Sequence, residues 1–292
     1  MPAKAALEHR LLAPLAALVT VVLWASAFVG IRDAGESLGA GPLALGRLLV
    51  GSAVLGAVVL IRREPLPSRR DLPLIAVCGA LWLGGYNVAL NAAEHHLDAG
   101  TAAMLVNVGP LLIALLAGVL LREGFPRRLL VGIAIAFAGV AVIGFATSES
   151  GLSTFGTALA LVAAVAYSVG VIAQKIVLVR VSALQTTFLS CCVGALTCLP
   201  FAPALVDDLG AAETRALAWT VYLGVFPTAL AFTTWAYALA RSDAGRLSAL
   251  TYLVPPISIL LSWAMLGETP PTLAFLGGAL CLLGVAFSRR RS

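Results

Sequence analysis

A chain of 292 residues that is 60% hydrophobic and only 11% charged, with a mean hydropathy of +0.99, carries more apolar surface than a water-soluble fold can bury. Soluble domains hold about a quarter of their residues as charges, so the solvent for most of this chain is lipid. The formal net charge of +5 does not make nucleic acid a partner, because the basic residues are dispersed one short loop at a time.

A spanning helix needs about 20 mostly apolar residues. Ten stretches qualify: 11–31, 42–61, 72–92, 99–121, 128–146, 156–174, 183–201, 216–239, 246–266 and 272–288. The first has the look of a secretory signal, with Lys4 and Arg10 ahead of an apolar run and Ala25-Ser26-Ala27 as a small-residue site. The run continues to Ile31, however, and is long enough to span.

The second stretch contains Arg47. An ionisable residue inside a span is a functional-site hypothesis. Arg47 lies five residues from Pro42, about 7–8 Å along a helix, a depth from which arginine can snorkel. Two roles stay open. One is structural, bonding helix-end carbonyls or an outer carboxylate such as Glu36, Glu94 or Asp98. The other is attraction of a substrate carboxylate in an outer vestibule. A gapped alignment of the second and seventh stretches sets Gln185 opposite it.

In the third stretch Leu83, Asn87 and Asn91 are four apart and share a helix face. Amides are costly against lipid, so they face a wet cavity or bond a neighbouring helix. In the fourth, Asn107 and Pro110 share a face with Ala103. The fifth and tenth carry glycines seven apart, Gly132 and Gly139, and Gly277 and Gly284. Such faces allow close helix approach, either internally or in a dimer.

Lysine and arginine collect on the cytoplasmic side of membrane proteins. With the N-terminus inside, only Arg32 and Arg215 of the 19 Lys and Arg fall in outer loops. The expected topology therefore has both termini cytoplasmic, as in a bacterial inner membrane. No Asp or Glu sits deep in a span, which argues against an embedded carboxylate proton relay. The five cysteines all lie in apolar stretches and read as buried hydrophobes. His9, His95 and His96 are too few and too badly spaced for a metal. No cofactor is expected. No Ser–His pair or paired aspartate sits mid-span, so an enzyme is disfavoured.

The stretch from Asp98 aligns without a gap on the stretch from Asp243, 145 residues later. Asp-Ala-Gly recurs, and Pro110, Glu123, Pro126, Gly132 and Gly139 fall on Pro255, Glu268, Pro271, Gly277 and Gly284. Each half, 1–147 and 148–292, then holds five helices. Five is odd, so the halves enter the membrane in opposite directions. Inverted repeats of this kind characterise secondary transporters with a site at mid-membrane. Under the same offset Asn107 pairs with Tyr252, Ala103 with Ser248, and the helix-3 face with Thr228, Phe232 and Ala236. Pro110 and Pro255-Pro256 break corresponding helices, a pointer to a transport site. Gapped alignment adds Trp24 and Ser26, with Tyr167 and Ser168. Trp235 and Tyr237 lie near the inner end and suit an interfacial belt.

The stretches "LWASAFVGIR", "PLALGRLL", "AGTAAMLVNVGPLLIALLAGVLLREGFPRRLLVGIAIAFAGV" and "AGRLSALTYLVPPISILLSWAMLGETP" resemble the drug/metabolite transporter superfamily, EamA type, over nearly the whole chain. The resemblance implies an all-α protein of ten transmembrane helices around a central cavity. It also implies export of amino acids or related metabolites, with helices 5 and 10 peripheral. The expected solute is an apolar or aromatic amino acid. A multidrug exporter is the alternative, and a receptor or scaffold the alternative of another class. The chain is expected as a monomer or homodimer in the lipid bilayer.

Overall fold

The computed structural model describes residues 2–97, 105–147, 153–266 and 272–289; within them the chain is helical, with no strand. The helices are α1 (Pro2–Ala34), α2 (Ala40–Arg62), α3 (Leu72–Glu94), α4 (Gly109–Leu120), α5 (Arg127–Thr147), α6 (Thr154–Val177), α7 (Ala183–Thr197), α8 (Ala202–Ala211), α9 (Thr214–Ala240), α10 (Ala244–Met265) and α11 (Thr272–Arg289). Among the described residues, six are long and apolar enough to cross a membrane: α1, α2, α3, α6, α9 and α10. Asp98, Ala99, Gly100, Ala103, Glu268 and Pro271, which help to define the sequence repeat, lie outside the described residues.

The seventh apolar stretch departs from a single straight helix. It stops at Thr197, and a bend of 52° leads into Leu199–Ala211. Pro200 lacks an N–H and its ring clashes with the preceding turn, so the helix cannot run through it unbroken. With α8 counted as its continuation, this is a seventh candidate span.

Three helices carry irregular turns. The middle of α3, Cys78–Tyr86, and of α9, Gly224–Leu230, is π-helix. In α9 the cause is in the sequence: Pro227 removes a donor and forces the backbone to widen. In α3 three glycines, Gly79, Gly84 and Gly85, permit the same widening. In α10 the residues Ala249–Leu253 tighten to 3₁₀ just before Pro255.

Glycine sets the closest helix contacts. A Cβ on Gly139 would stand 2.5 Å from the Gly277 oxygen, and one on Gly132 would stand 2.7 Å from the Gly284 oxygen. The glycine faces therefore pack α5 directly on α11, inside one chain. A Cβ on Gly79 of α3 would meet the Ser190 oxygen of α7 at 2.5 Å, and one on Gly224 of α9 would meet the Arg47 oxygen of α2 at 2.8 Å. The outer surface is apolar, with Leu15, Phe145, Phe155, Val162 and Leu283 all more than half exposed. A lipid-facing surface has this character.

Candidate functional site

Seven helices contribute to the wall of a cavity of about 70 Å³. From α1 come Trp24, Ala27, Phe28 and Ile31, a helical face of spacing three and four. From α3 come Trp82, Tyr86, Asn87 and Leu90, and from α2 a single residue, Arg47. Val106, Asn107 and Pro110 at the start of α4, Tyr167 of α6, Phe232 of α9, and Thr251 and Val254 of α10 complete the wall.

Arg47 is 3% exposed, and its Nε donates to the Thr228 hydroxyl at 3.0 Å. Thr228 sits in the π-helical turn of α9. No carboxylate among the described residues lies within ion-pair distance of Arg47, although Glu94 acts on it electrostatically. Asn87 donates its amide to the Leu83 carbonyl at 2.7 Å. That bond uses the nitrogen and leaves the amide oxygen as an acceptor. Asn107 also lines the cavity.

A second, larger cavity of about 310 Å³ adjoins the first at Ile31. It is the more polar of the two, lined in part by Arg32, Glu36, Asn91, Glu94 and His95. Asn91 bonds the Ala40 carbonyl at 3.0 Å and keeps an unpartnered amide oxygen, and one oxygen of Glu94 is likewise unpartnered. Asn91 thus lies one turn from Asn87 but in a different cavity.

On the opposite side the central cavity is floored by aromatic rings. Trp24, Trp82, Phe232 and Trp235 stack with centroids 4.9–6.1 Å apart. Trp235 is wholly buried in this cluster. The interfacial place expected for it is therefore corrected: its ring fills the space beneath the cavity. Beyond the rings, Lys175 donates to the Leu239 and Ser242 carbonyls, each at 2.7 Å. The Glu123 carboxylate accepts from the Ala244 and Gly245 N–H groups at 2.7 and 3.1 Å.

The remaining sequence candidates stand around the cavity rather than in its wall. Tyr252 is wholly buried, with its hydroxyl unpartnered, while its neighbour Thr251 lines the cavity. Ser248 bonds the Gly245 carbonyl at 3.0 Å, Ser26 bonds the Tyr222 hydroxyl at 2.7 Å, and Ser168 bonds the Ala164 carbonyl at 2.7 Å. Pro110 is in the wall; Pro255 and Pro256 are not. Glycine contacts pair Arg47 with Ser190 rather than with Gln185: both carbonyls receive the glycine of a π-helical turn. Sequence reading missed Phe28, Ile31, Trp82 and Tyr86. The signal was present, since Phe28 and Ile31 follow Trp24 at helical spacing and Trp82 precedes Tyr86 by four.

No group of three His, Cys, Asp or Glu side chains able to hold a metal occurs among the described residues. The cavity offers a guanidinium, amide groups and aromatic faces, a set suited to binding rather than to bond cleavage. The sequence profile of the EamA-like transporter family matches residues 11–145 and again 154–290. The chain belongs to the EamA-like transporter family. This transporter is 40% identical over 277 residues to a "probable terminal-alkyne amino-acid exporter" of Streptantibioticus cattleyicolor, covering 95% of this chain and 93% of that one. It is 31% identical over 266 residues to an uncharacterized transporter, YdfC, of Bacillus subtilis, covering 91% and 87%. A solved crystal structure, 24% identical, superposes with a TM-score of 0.78 over 94% of this chain and 97% of that chain, which establishes the shared fold. The EamA transporter is thus a membrane transporter, and the central cavity is the candidate place for its solute.

Proposed function

We propose that this transporter exports small amphipathic metabolites, apolar or aromatic amino acids foremost, across a bacterial cytoplasmic membrane by alternating access. The observation that carries the proposal is where the cavity sits. Irregular turns from both halves of the chain meet at it, and they fall at corresponding positions. The π-helical turn of α3, Cys78–Tyr86, and that of α9, Gly224–Leu230, coincide under the 145-residue offset. The turn before Pro110 coincides with the 3₁₀ segment before Pro255. Broken helices at matching positions are the usual walls of a transport site.

The same offset supports two inverted repeats, 1–147 and 148–292, of five spans each. The family profile matches once in each half. The α5–α11 contact pairs Gly132 with Gly284 and Gly139 with Gly277, as a two-fold axis between halves requires. With ten spans and both termini cytoplasmic, the larger polar cavity opens outward. The aromatic floor, Lys175 and Glu123 then close the inner side. The 40% identity to a "probable terminal-alkyne amino-acid exporter" favours amino acids as the solute class. No enzyme activity is proposed.

Counterflow in proteoliposomes tests this. Vesicles are loaded with each amino acid in turn, and entry of the labelled compound is followed with and without a pH gradient. Saturable counterflow of apolar or aromatic amino acids, indifferent to the gradient, is the expected result. Silence across the panel from folded protein overturns it.

A further inference from the structure

We propose that Arg47 is the anchor for the solute's carboxylate, and that this cavity selects free amphipathic acids against their esters and amines. The inference rests on the reading of the central cavity as the transport site.

Other arginines of the chain have found carboxylates: Arg180 pairs with Asp71, Arg215 with Asp33, and Arg246 with Asp243. All three of these arginines are about half exposed or more, where pairing contributes little. Arg47, at 3% exposed, has none. Burying a guanidinium is costly unless it is paired and hydrogen-bonded. Here one hydroxyl, that of Thr228, takes the Nε proton. The Nη donors have no hydrogen-bond partner among the described residues, and the side chain lines the cavity. A planar fork held at Nε by Thr228 is fixed in orientation, with its outer donors open to the cavity. Carboxylate is the group that matches such a fork with two parallel hydrogen bonds.

The rest of the wall fits the rest of an amino acid. The Asn87 amide oxygen, freed by its nitrogen's bond to Leu83, is an acceptor for an ammonium. Trp24, Phe28, Trp82 and Phe232 present rings to an apolar side chain. A cationic drug finds the opposite complement here: a buried positive charge, and no carboxylate among the described residues of the cavity wall. The nearby carboxyl groups among the described residues, Glu36 and Glu94, line the outer cavity instead.

The test compares three solutes of one side chain in the same proteoliposomes: L-phenylalanine, its methyl ester and phenethylamine, with L-propargylglycine and its methyl ester as a second series. The wild-type chain is expected to move the free acids at least about thirtyfold more effectively than the esters or amine, the range in which removal of a buried charge partner falls. Arg47→Gln is expected to lose that preference, Arg47→Lys to recover part of it, and Thr228→Val to weaken acid binding several-fold by releasing Nε. A merely structural arginine would change total activity and leave the acid-to-ester ratio alone. Equal transport of acid and ester by the wild-type chain overturns the anchor while leaving the transport reading intact. An unchanged acid-to-ester ratio in a folded Arg47→Gln protein does the same. No counterflow of any of these solutes by the wild-type chain overturns both. The wild-type comparison stands even where a variant fails to fold.

Discussion

Glu123 and Lys175 each bind backbone at the same end of the molecule. The Glu123 carboxylate takes the first two N–H groups of α10, which no residue within the helix can satisfy. Lys175 bonds carbonyls at the close of α9, where the helix leaves acceptors free. Both charges complement the helix ends they touch. Replacing Glu123 by Gln keeps an acceptor but removes the charge. The expected loss is about 1 kcal/mol of stability, the usual worth of a cap, read as a lowered thermal midpoint in detergent. Lys175→Met is expected to cost more, about 1–3 kcal/mol, because two part-buried carbonyls lose a charged donor. If both variants melt with the wild type, these contacts are surface decoration and the inner end is held by the aromatic rings alone.

At the level of helices, the α5–α11 seam makes the plainest prediction. Gly139→Leu places a side chain where backbone now stands 2.5 Å from the Cβ position. Overpacking of this kind costs about 1–3 kcal/mol or more. Thermal unfolding is expected to fall steeply with the oligomeric mass unchanged; a change of mass with an intact midpoint would move the glycine face to a dimer contact. A close-packing face was legible in the sequence, because glycines seven apart on an apolar helix let backbones approach; that the face packs inside one chain was not. Asn87 and Asn107 were legible too, since an amide in a span demands a polar neighbour. Tyr252 shows where the reading stops. It was placed beside Asn107 by alignment, but the 3₁₀ stretch Ala249–Leu253 turns three residues per turn. That rotation presents Thr251 to the cavity and turns Tyr252 away. Trp82 and Tyr86 carry the right spacing, but spacing alone does not assign them: within an apolar span an aromatic ring reads the same whether it faces lipid, core or solute. Pro227 links the two levels. It forces the π-helical turn that carries Thr228 to Arg47. Pro227→Ala is expected to leave stability level or raise it while reducing counterflow of the free acids, a split that a simple packing role does not produce.

For the whole molecule the question is where the inner half of the route runs. Gln174 of α6 is wholly buried, yet neither its amide oxygen nor its nitrogen has a partner. The Thr186 hydroxyl of α7 and the Trp235 indole nitrogen of α9 are buried and unpartnered too. Leaving such groups unsatisfied costs about 1–3 kcal/mol each, so, with the topology proposed above, the inward-closed state holds them under penalty. Opening between α6, α7 and α9 would wet all three and refund part of the work of parting the aromatic floor. A transporter that must visit both states needs them close in energy, and polar groups stranded in one state narrow the gap. The check is a single cysteine at Gln174 in a chain whose native cysteines are replaced by alanine. A membrane-impermeant thiol reagent is expected to label it from the inner face only, at a rate that rises when free acid is exchanging across the membrane. Labelling from the outer face, or a rate indifferent to exchange, would place the inner route elsewhere and leave the stranded polar groups without a role in transport.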